Sequence, residues 1–205
     1  NLFLSLSDDL LDDITLTSMF AQVIKHAQIS MSAQFASLFI YEKEKDELWS
    51  ITSSNDHSII RVKAANSIVG FAAHNGKLLN VPDAYSDSRF NRRVDSETGF
   101  RTKEILCAPV FDENDSVIAV LEVMNKKKSA DDVKKNTADD THFTTSDENL
   151  LTELAAHVGH GISRILKLAD EQDAINKKLQ LEQKKNQELL SEKDSNHKLT
   201  NHLQS

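Results

Sequence analysis

Two groups of residues have types and spacing that could do chemistry. The first is a single acid, Glu122, inside the apolar run Val-Ile-Ala-Val-Leu-Glu-Val-Met at 117–124. A carboxylate buried among such neighbours is costly unless it finds a partner. Strand alternation puts Glu122 on the same face as Val120 and Met124, toward the covered side. Its partner is then either an internal cation, for which Arg101 is available, or an N–H group of a bound ligand such as a purine edge. The second group is Asp95, Thr98 and Thr102, set in the polar stretch Leu79–Thr102. Their spacings of three and four would place them on one face of a helical turn. A polar segment of this kind can fold over a ligand as a lid of short helices. The alternative is that Asp95 caps a helix that Gly99 ends.

Other reactive residues lead to blander readings. The chain has no G-x-S-x-G, G-x-x-x-x-G-K-[ST], G-x-G-x-x-G or H-E-x-x-H motif. His157 and His160 have metal-ligand spacing on a helix but no third ligand nearby, so they read as helix surface. Cys107 lies in Ile-Leu-Cys-Ala-Pro-Val and reads as a buried, inert thiol.

The elements that must position these residues follow from periodicity. Residues 1 to about 34 read as helix, with Leu16, Met19, Phe20, Val23, Ile24 and Ala27 on one apolar stripe. Asp8, Asp9, Asp12 and Asp13 would stand near its start, where the helix dipole favours acids. Strands are expected at Ala36–Glu42, Leu48–Thr52, Ile59–Val62, Leu78–Val81, Ile105–Phe111 and Val117–Asn125. A charged Glu-Lys-Glu-Lys-Asp turn follows the first, and Asp-Glu-Asn-Asp joins the last two. Ser67–Asn75 reads as a short helix capped by Ser67 and ended by Gly76. The pattern is α+β, a six-stranded antiparallel sheet flanked by helices.

Residues 127–142 are polar and read as a loop. From 146 to 205 the chain reads as one long helix. A heptad register set on Ile165 and Leu168 places Ile175, Leu179, Leu189 and Leu203 on a seam with polar Gln172, Glu182 and Asn186, the last able to fix register. A solvated helical linker is the alternative to this coiled coil. The expected organisation is an N-terminal helix at 1–34, a ligand-binding domain at 35–168 and a helical linker or coiled coil at 169–205.

Composition narrows the function classes. The 205 residues, 39% of them hydrophobic, can bury a core. The net charge of −8 argues against a nucleic-acid surface. A small anion remains possible, because backbone N–H groups can hold it. The longest apolar run, Val117–Leu121, falls far short of the roughly 20 residues that span a bilayer, so no membrane partner is expected. One cysteine forms no internal disulfide, which fits a reducing, cytoplasmic setting. The chain starts Asn-Leu-Phe-Leu-Ser-Leu, with neither Met nor a leader pattern, and reads as a fragment of a longer protein.

Two stretches carry a family resemblance. One runs Leu79-Asn-Val-Pro-Asp-Ala-Tyr, then Phe90-Asn-Arg-Arg-Val-Asp-Ser-Glu-Thr-Gly-Phe-Arg-Thr, then Ile105-Leu-Cys-Ala-Pro-Val. The other is Asn125-Lys126, then Phe143, then Asp147-Glu148, an N-K…F-x-x-x-D-E pattern. Together they resemble the GAF domain family over roughly residues 10–168. The likeness is narrower to the cyclic-nucleotide-binding members, which regulate cyclic-nucleotide phosphodiesterases and certain adenylyl cyclases. The resemblance implies a regulatory sensor, not an enzyme, whose ligand is cAMP or cGMP, with no further cofactor and no metal. It implies that Ser37 approaches the base and that backbone N–H groups at Ile68 and Val69 hold the phosphate. It further implies that Asp95, Thr98 and Thr102 contact the ribose and phosphate, and that Glu122 reaches the purine edge. Lys126 and Asp147 are implied to form a structural salt bridge behind the pocket.

The chain also departs from relatives. Many carry an aromatic–acid pair after the second strand, the aromatic stacking on the base. Here the stretch is Thr52-Ser53-Ser54-Asn55, so stacking must come from Phe71, Phe90 or elsewhere. The loop at 127–142 is longer than usual, and Ser67 replaces a common Gly. With Glu122 as a lone acceptor for an adenine amino group, cAMP is favoured slightly over cGMP. The sensor would signal through the C-terminal helix to a phosphodiesterase or cyclase domain in the same chain, as a homodimer joined by its helices. The alternative is a ligand-free dimerisation module. A methionine-sulfoxide reductase would need several cysteines, and for bilin attachment Cys107 lies in the wrong strand.

Overall fold

The chain folds from a first helix, α1 (Ile14–Ser30), into a ten-residue strand, β1 (Ala33–Glu42), and a hairpin partner, β2 (Glu47–Thr52). Next come β3 (Arg61–Lys63), a 3-10 turn at Ala64–Asn66, helix α2 (Ile68–Asn75) and β4 (Leu79–Val81). A 3-10 turn at Ala84–Ser86, the lid helix α3 (Arg92–Thr98), β5 (Ile105–Phe111), β6 (Val117–Lys126) and the long helix α4 (Thr145–Leu203) complete it. This computed structural model describes residues 14–52, 60–128 and 142–203. Asp8, Asp9, Asp12 and Asp13, the Ser53–Asn55 stretch, Ile59 and residues 129–141 of the polar loop lie outside the described residues.

The sheet is antiparallel and six-stranded, in the order β3-β2-β1-β6-β5-β4. It is the α+β architecture expected from the alternating patterns. β1 starts at Ala33 rather than Ala36, and β6 extends to Lys126. β1 and β6 lie side by side at its centre, with Ser37 opposite Glu122 and Phe35 opposite Met124. Both are buried along most of their length, as central strands covered on two faces must be. On one face Phe39, Tyr41, Leu48 and Val120 pack with Ile68, Val69 and Ala72 of α2. On the opposite face Leu38 and Leu121 are fully buried, and α1 packs on β1 and β6 with Phe20, Ile24 and Ala27 inside.

Local chemistry fixes α2. The Ser67 hydroxyl accepts from the Gly70 N–H at 3.0 Å. Gly76, at φ 59°, ends the helix in the left-handed region. Gly70 has no room for a side chain: a Cβ there would lie 2.0 Å from the Ala64 carbonyl oxygen. This close approach seats the start of α2 on the turn before it.

The lid helix departs from expectation. Asn91, not Asp95, caps α3, accepting from the Arg93 N–H at 3.1 Å. Gly99, at φ 71°, ends it as expected. Thr102 therefore lies beyond the helix, and Asp95, Thr98 and Thr102 do not share a helical face. Thr98 closes α3, and its side chain lies outside the described residues.

The Asn125-Lys126…Phe143…Asp147-Glu148 pattern closes the back of the domain. Asn125, at φ 54°, accepts from the Lys103 N–H at 2.7 Å and donates to the Arg101 carbonyl at 2.8 Å. Lys126 pairs with Asp147, which also accepts from the Thr144 N–H and hydroxyl. Asn80 donates to the Phe143 carbonyl at 3.0 Å and to Glu148 at 2.8 Å. These bonds tie the lid's exit, β4 and β6 to the start of α4.

The chain divides into two compact units, Asn1–Gly161 and Ile162–Ser205. In the second unit Leu168, Ile175, Leu179 and Leu181 are all more than half exposed. The side chains of Ile165, Leu189 and Leu203 lie outside the described residues. Among the described residues no helix is long and apolar enough to cross a membrane.

Candidate functional site

A cavity of about 330 Å³ opens between the sheet, the N-terminus of α2 and the lid. That volume is at the lower end for small-molecule sites, roughly 300–1,000 Å³. Ser37, Ile68, Val69, Asp95, Thr102 and Glu122 all line it. β1 and β6 supply its floor through alternation, which brings Phe35, Ser37 and Phe39 beside Glu122 and Met124. α2 contributes its first turn, where the N–H groups of Ile68 and Val69 have no partner within the helix.

The lid is held by one buried acid. Asp95 accepts from the Thr102 N–H and hydroxyl, each at 2.7 Å, and from the Tyr85 hydroxyl at 3.0 Å. The Tyr85 ring lies 5.1 Å from the Phe90 ring. The Arg101 guanidinium stands 3.4 Å from the Tyr85 ring centre. Arg101 is therefore engaged at the lid, and the internal ion pair with Glu122 weighed above does not form.

Glu122 is buried, 6% exposed, and has no hydrogen-bond or ion-pair partner among the described residues. Burial pushes its carboxyl up to about 8, which favours the neutral acid near pH 7. Among the described residues no lysine, arginine or histidine lines the cavity. Cys107, opposite Glu122 on β5, is fully buried, and burial first and Glu122 second push its thiol up. It is the inert thiol expected from its strand.

The aromatic question resolves into rings that strand alternation and the lid provide. Phe71 is 39% exposed and stacks under the Arg89 guanidinium at 4.4 Å, outside the cavity lining. Phe90 does line it. So do Phe35, Phe39 and Phe100, which sequence reasoning missed, with Phe35 and Phe100 centred 5.7 Å apart. The Phe35-Ala-Ser37-Leu-Phe39 alternation could have identified the first two. No local pattern points to Phe100.

His157 and His160 each bond the carbonyl four residues back, at 2.8 and 2.7 Å, and are exposed. Among the described residues no cluster of potential ligands could hold a metal. A second cavity of about 400 Å³ is rimmed by Asp112, Glu113 and Asp115. Its acidic rim opposes an anionic ligand.

Comparison with known proteins bears on the family and the fold. The chain is 31% identical over 141 residues to the dual 3',5'-cyclic-AMP and -GMP phosphodiesterase 11A of Takifugu rubripes, covering 63% of this chain and 16% of that protein. It is 30% identical over 142 residues to the dual 3',5'-cyclic-AMP and -GMP phosphodiesterase 11 of Drosophila melanogaster, covering 61% of this chain and 10% of the relative. It thus spans less than a fifth of either enzyme. The fold matches the GAF domain from Acinetobacter phosphoenolpyruvate-protein phosphotransferase with a TM-score of 0.57 at 16% identity, covering 85% of this chain and 98% of that one. Residues 15–162 match the GAF domain family, and the chain belongs to it.

Proposed function

We propose that this domain is a regulatory sensor that binds a cyclic purine nucleotide between β1, β6, the α2 N-terminus and the lid. The observation that carries the reading is Glu122: a buried polar group without a partner, aimed into a cavity that also offers unpaired helix N–H groups. The cyclic phosphate bears one negative charge, which a helix N-terminus holds without a lysine. Aromatic side chains on the floor and lid give the base a stacking surface. The relatives' activity toward cyclic AMP and cyclic GMP supports this ligand class. A single acid facing the base favours cAMP slightly over cGMP. Binding would close the lid and bias α4, passing the change in cis to a downstream phosphodiesterase or cyclase domain in the cytoplasm.

The experiment is calorimetric titration of cAMP and of cGMP, with Thr102→Ala as the weakened control. Micromolar or tighter binding, reduced in the variant, supports the reading. A folded domain that takes up neither nucleotide at millimolar concentration overturns it. The exposed Leu168, Ile175 and Leu179 favour a second reading, in which the module serves to join two copies through their helices and its pocket stays empty.

A further inference from the structure

We propose that the protonation state of Glu122 sets which purine the pocket prefers: the neutral acid pairs with adenine or guanine, whereas the ionised acid rejects adenine and keeps guanine. This rests on the reading that the pocket takes a cyclic purine nucleotide, and it adds a determinant of selectivity. The argument begins with isolation. Glu122 is more than nine-tenths buried and lies in the cavity wall. β1 faces it with Ser37, Phe35 and Phe39, β5 with the Cys107 thiol, α2 with Ile68 and Val69, and the lid with Asp95 and Thr102. The ionisable groups among these are Cys107 and Asp95, and neither is a cation. Asp95 is occupied by Thr102 and Tyr85. Arg89, whose charge acts on Cys107, is bonded to Asp87 at 2.6 Å. Among the described residues the cavity lining therefore supplies no cation to hold Glu122 ionised, and burial pushes its carboxyl up to about 8.

The consequence is a matter of donors and acceptors. A neutral carboxylic acid offers one donor and one acceptor, while a carboxylate only accepts. Adenine presents its amino donor beside a ring-nitrogen acceptor, N1 or N7. It matches the neutral acid at two points. Against the carboxylate it sets acceptor to acceptor and loses one bond. Guanine presents N1–H beside O6, which also suits the neutral acid, and N1–H beside its amino group, which suits the carboxylate. Guanine thus keeps a two-point partner in either state. The cAMP-to-cGMP preference should fall as pH rises through the Glu122 value, and cAMP binding above that value should carry a proton into the site.

The test is calorimetry of both nucleotides at about pH 6.5 and about pH 9, in buffers of differing ionisation enthalpy. The cAMP Kd should rise about tenfold between these values, as expected for a ligand that needs the protonated form of one group. The cGMP Kd should move less than about threefold, and cAMP binding at the higher pH should take up close to one proton. Glu122→Gln, whose amide keeps an NH2 donor group beside a carbonyl acceptor at every pH, should remove the pH dependence of cAMP binding. The wild-type series decides the matter even if that variant fails to fold. Binding of both nucleotides with a constant ratio and no proton uptake overturns the Glu122 proposal and leaves the sensor reading standing. Binding of neither at any pH overturns both.

Discussion

Thr102 bonds Asp95 twice, through its backbone N–H and its hydroxyl, each at 2.7 Å, and so ties the strand entering β5 to the lid helix α3. Both residues are buried. This internal contact thus latches the lid helix to the strand that follows it. Thr102→Val removes the hydroxyl bond and leaves one Asp95 oxygen short of a donor, while the backbone bond survives. The expected cost is about 1–3 kcal/mol, read from denaturant unfolding, together with weaker nucleotide binding by calorimetry. An unchanged midpoint and unchanged affinity would show that the latch does not hold the lid.

The Lys126–Asp147 pair predicts a defined acid sensitivity. Burial raises the Asp147 carboxyl, but the Lys126 ammonium and the Thr144 N–H and hydroxyl outweigh it, holding the group below the usual carboxylate range. A lowered folded value contributes stability above the unfolded value, about 3.9, and loses it as pH falls through the folded one. Asp147→Asn should cost about 1–3 kcal/mol near neutral pH, since it leaves Lys126 unpaired at a partly buried site. The gap between wild type and variant should close below about pH 4. A gap independent of pH would assign the loss to packing.

What the sequence disclosed follows the range of each interaction. Strand alternation around Ser37 and Glu122 and the Ser67 and Gly76 caps depend on neighbours a few residues apart, so they were legible. The role of Asp95 was only half legible. Its spacing to Thr102 suggested a shared helical face, whereas Gly99 ends the helix between them and the contact is made by the returning chain. Arg101 was a plausible partner for Glu122 by charge. Its capture by the Tyr85 ring depends on how the lid folds back, which no local pattern encodes. Phe100 reached the cavity lining by the same route.

Glu122 should make the unliganded domain less stable as pH rises. The unfolded chain releases this proton near about 4.3, while the folded chain holds it to about 8. Between those values the native state binds more protons, so stability is fully present below the lower value and is lost toward the upper one. The expected slope is on the order of 1 kcal/mol per pH unit. Other groups titrate in this range, so the quantity to measure is the difference between wild type and Glu122→Gln across a pH series of denaturant melts. A difference that does not grow with pH would mean that the acid already ionises in the folded state.

The C-terminal half of α4 makes a prediction about association. Leu168, Ile175 and Leu179 are 56, 57 and 53% exposed, and their spacings of seven and four fit one coiled-coil seam. Leu181, 57% exposed, falls off that seam. Burying a Leu or Ile side chain is worth about 1.5–3 kcal/mol, and a symmetric pair of helices buries each seam residue twice. Ile175→Ser combined with Leu179→Ser should therefore convert a dimer to a monomer at micromolar concentration, as read by sedimentation, while Leu181→Ser leaves association as it was. Equal effects at 181 and on the seam would point to general hydrophobic contact. A wild-type chain that sediments as a monomer throughout would make this half of α4 a solvated helix, and any signal passing along it would then need another element to receive it.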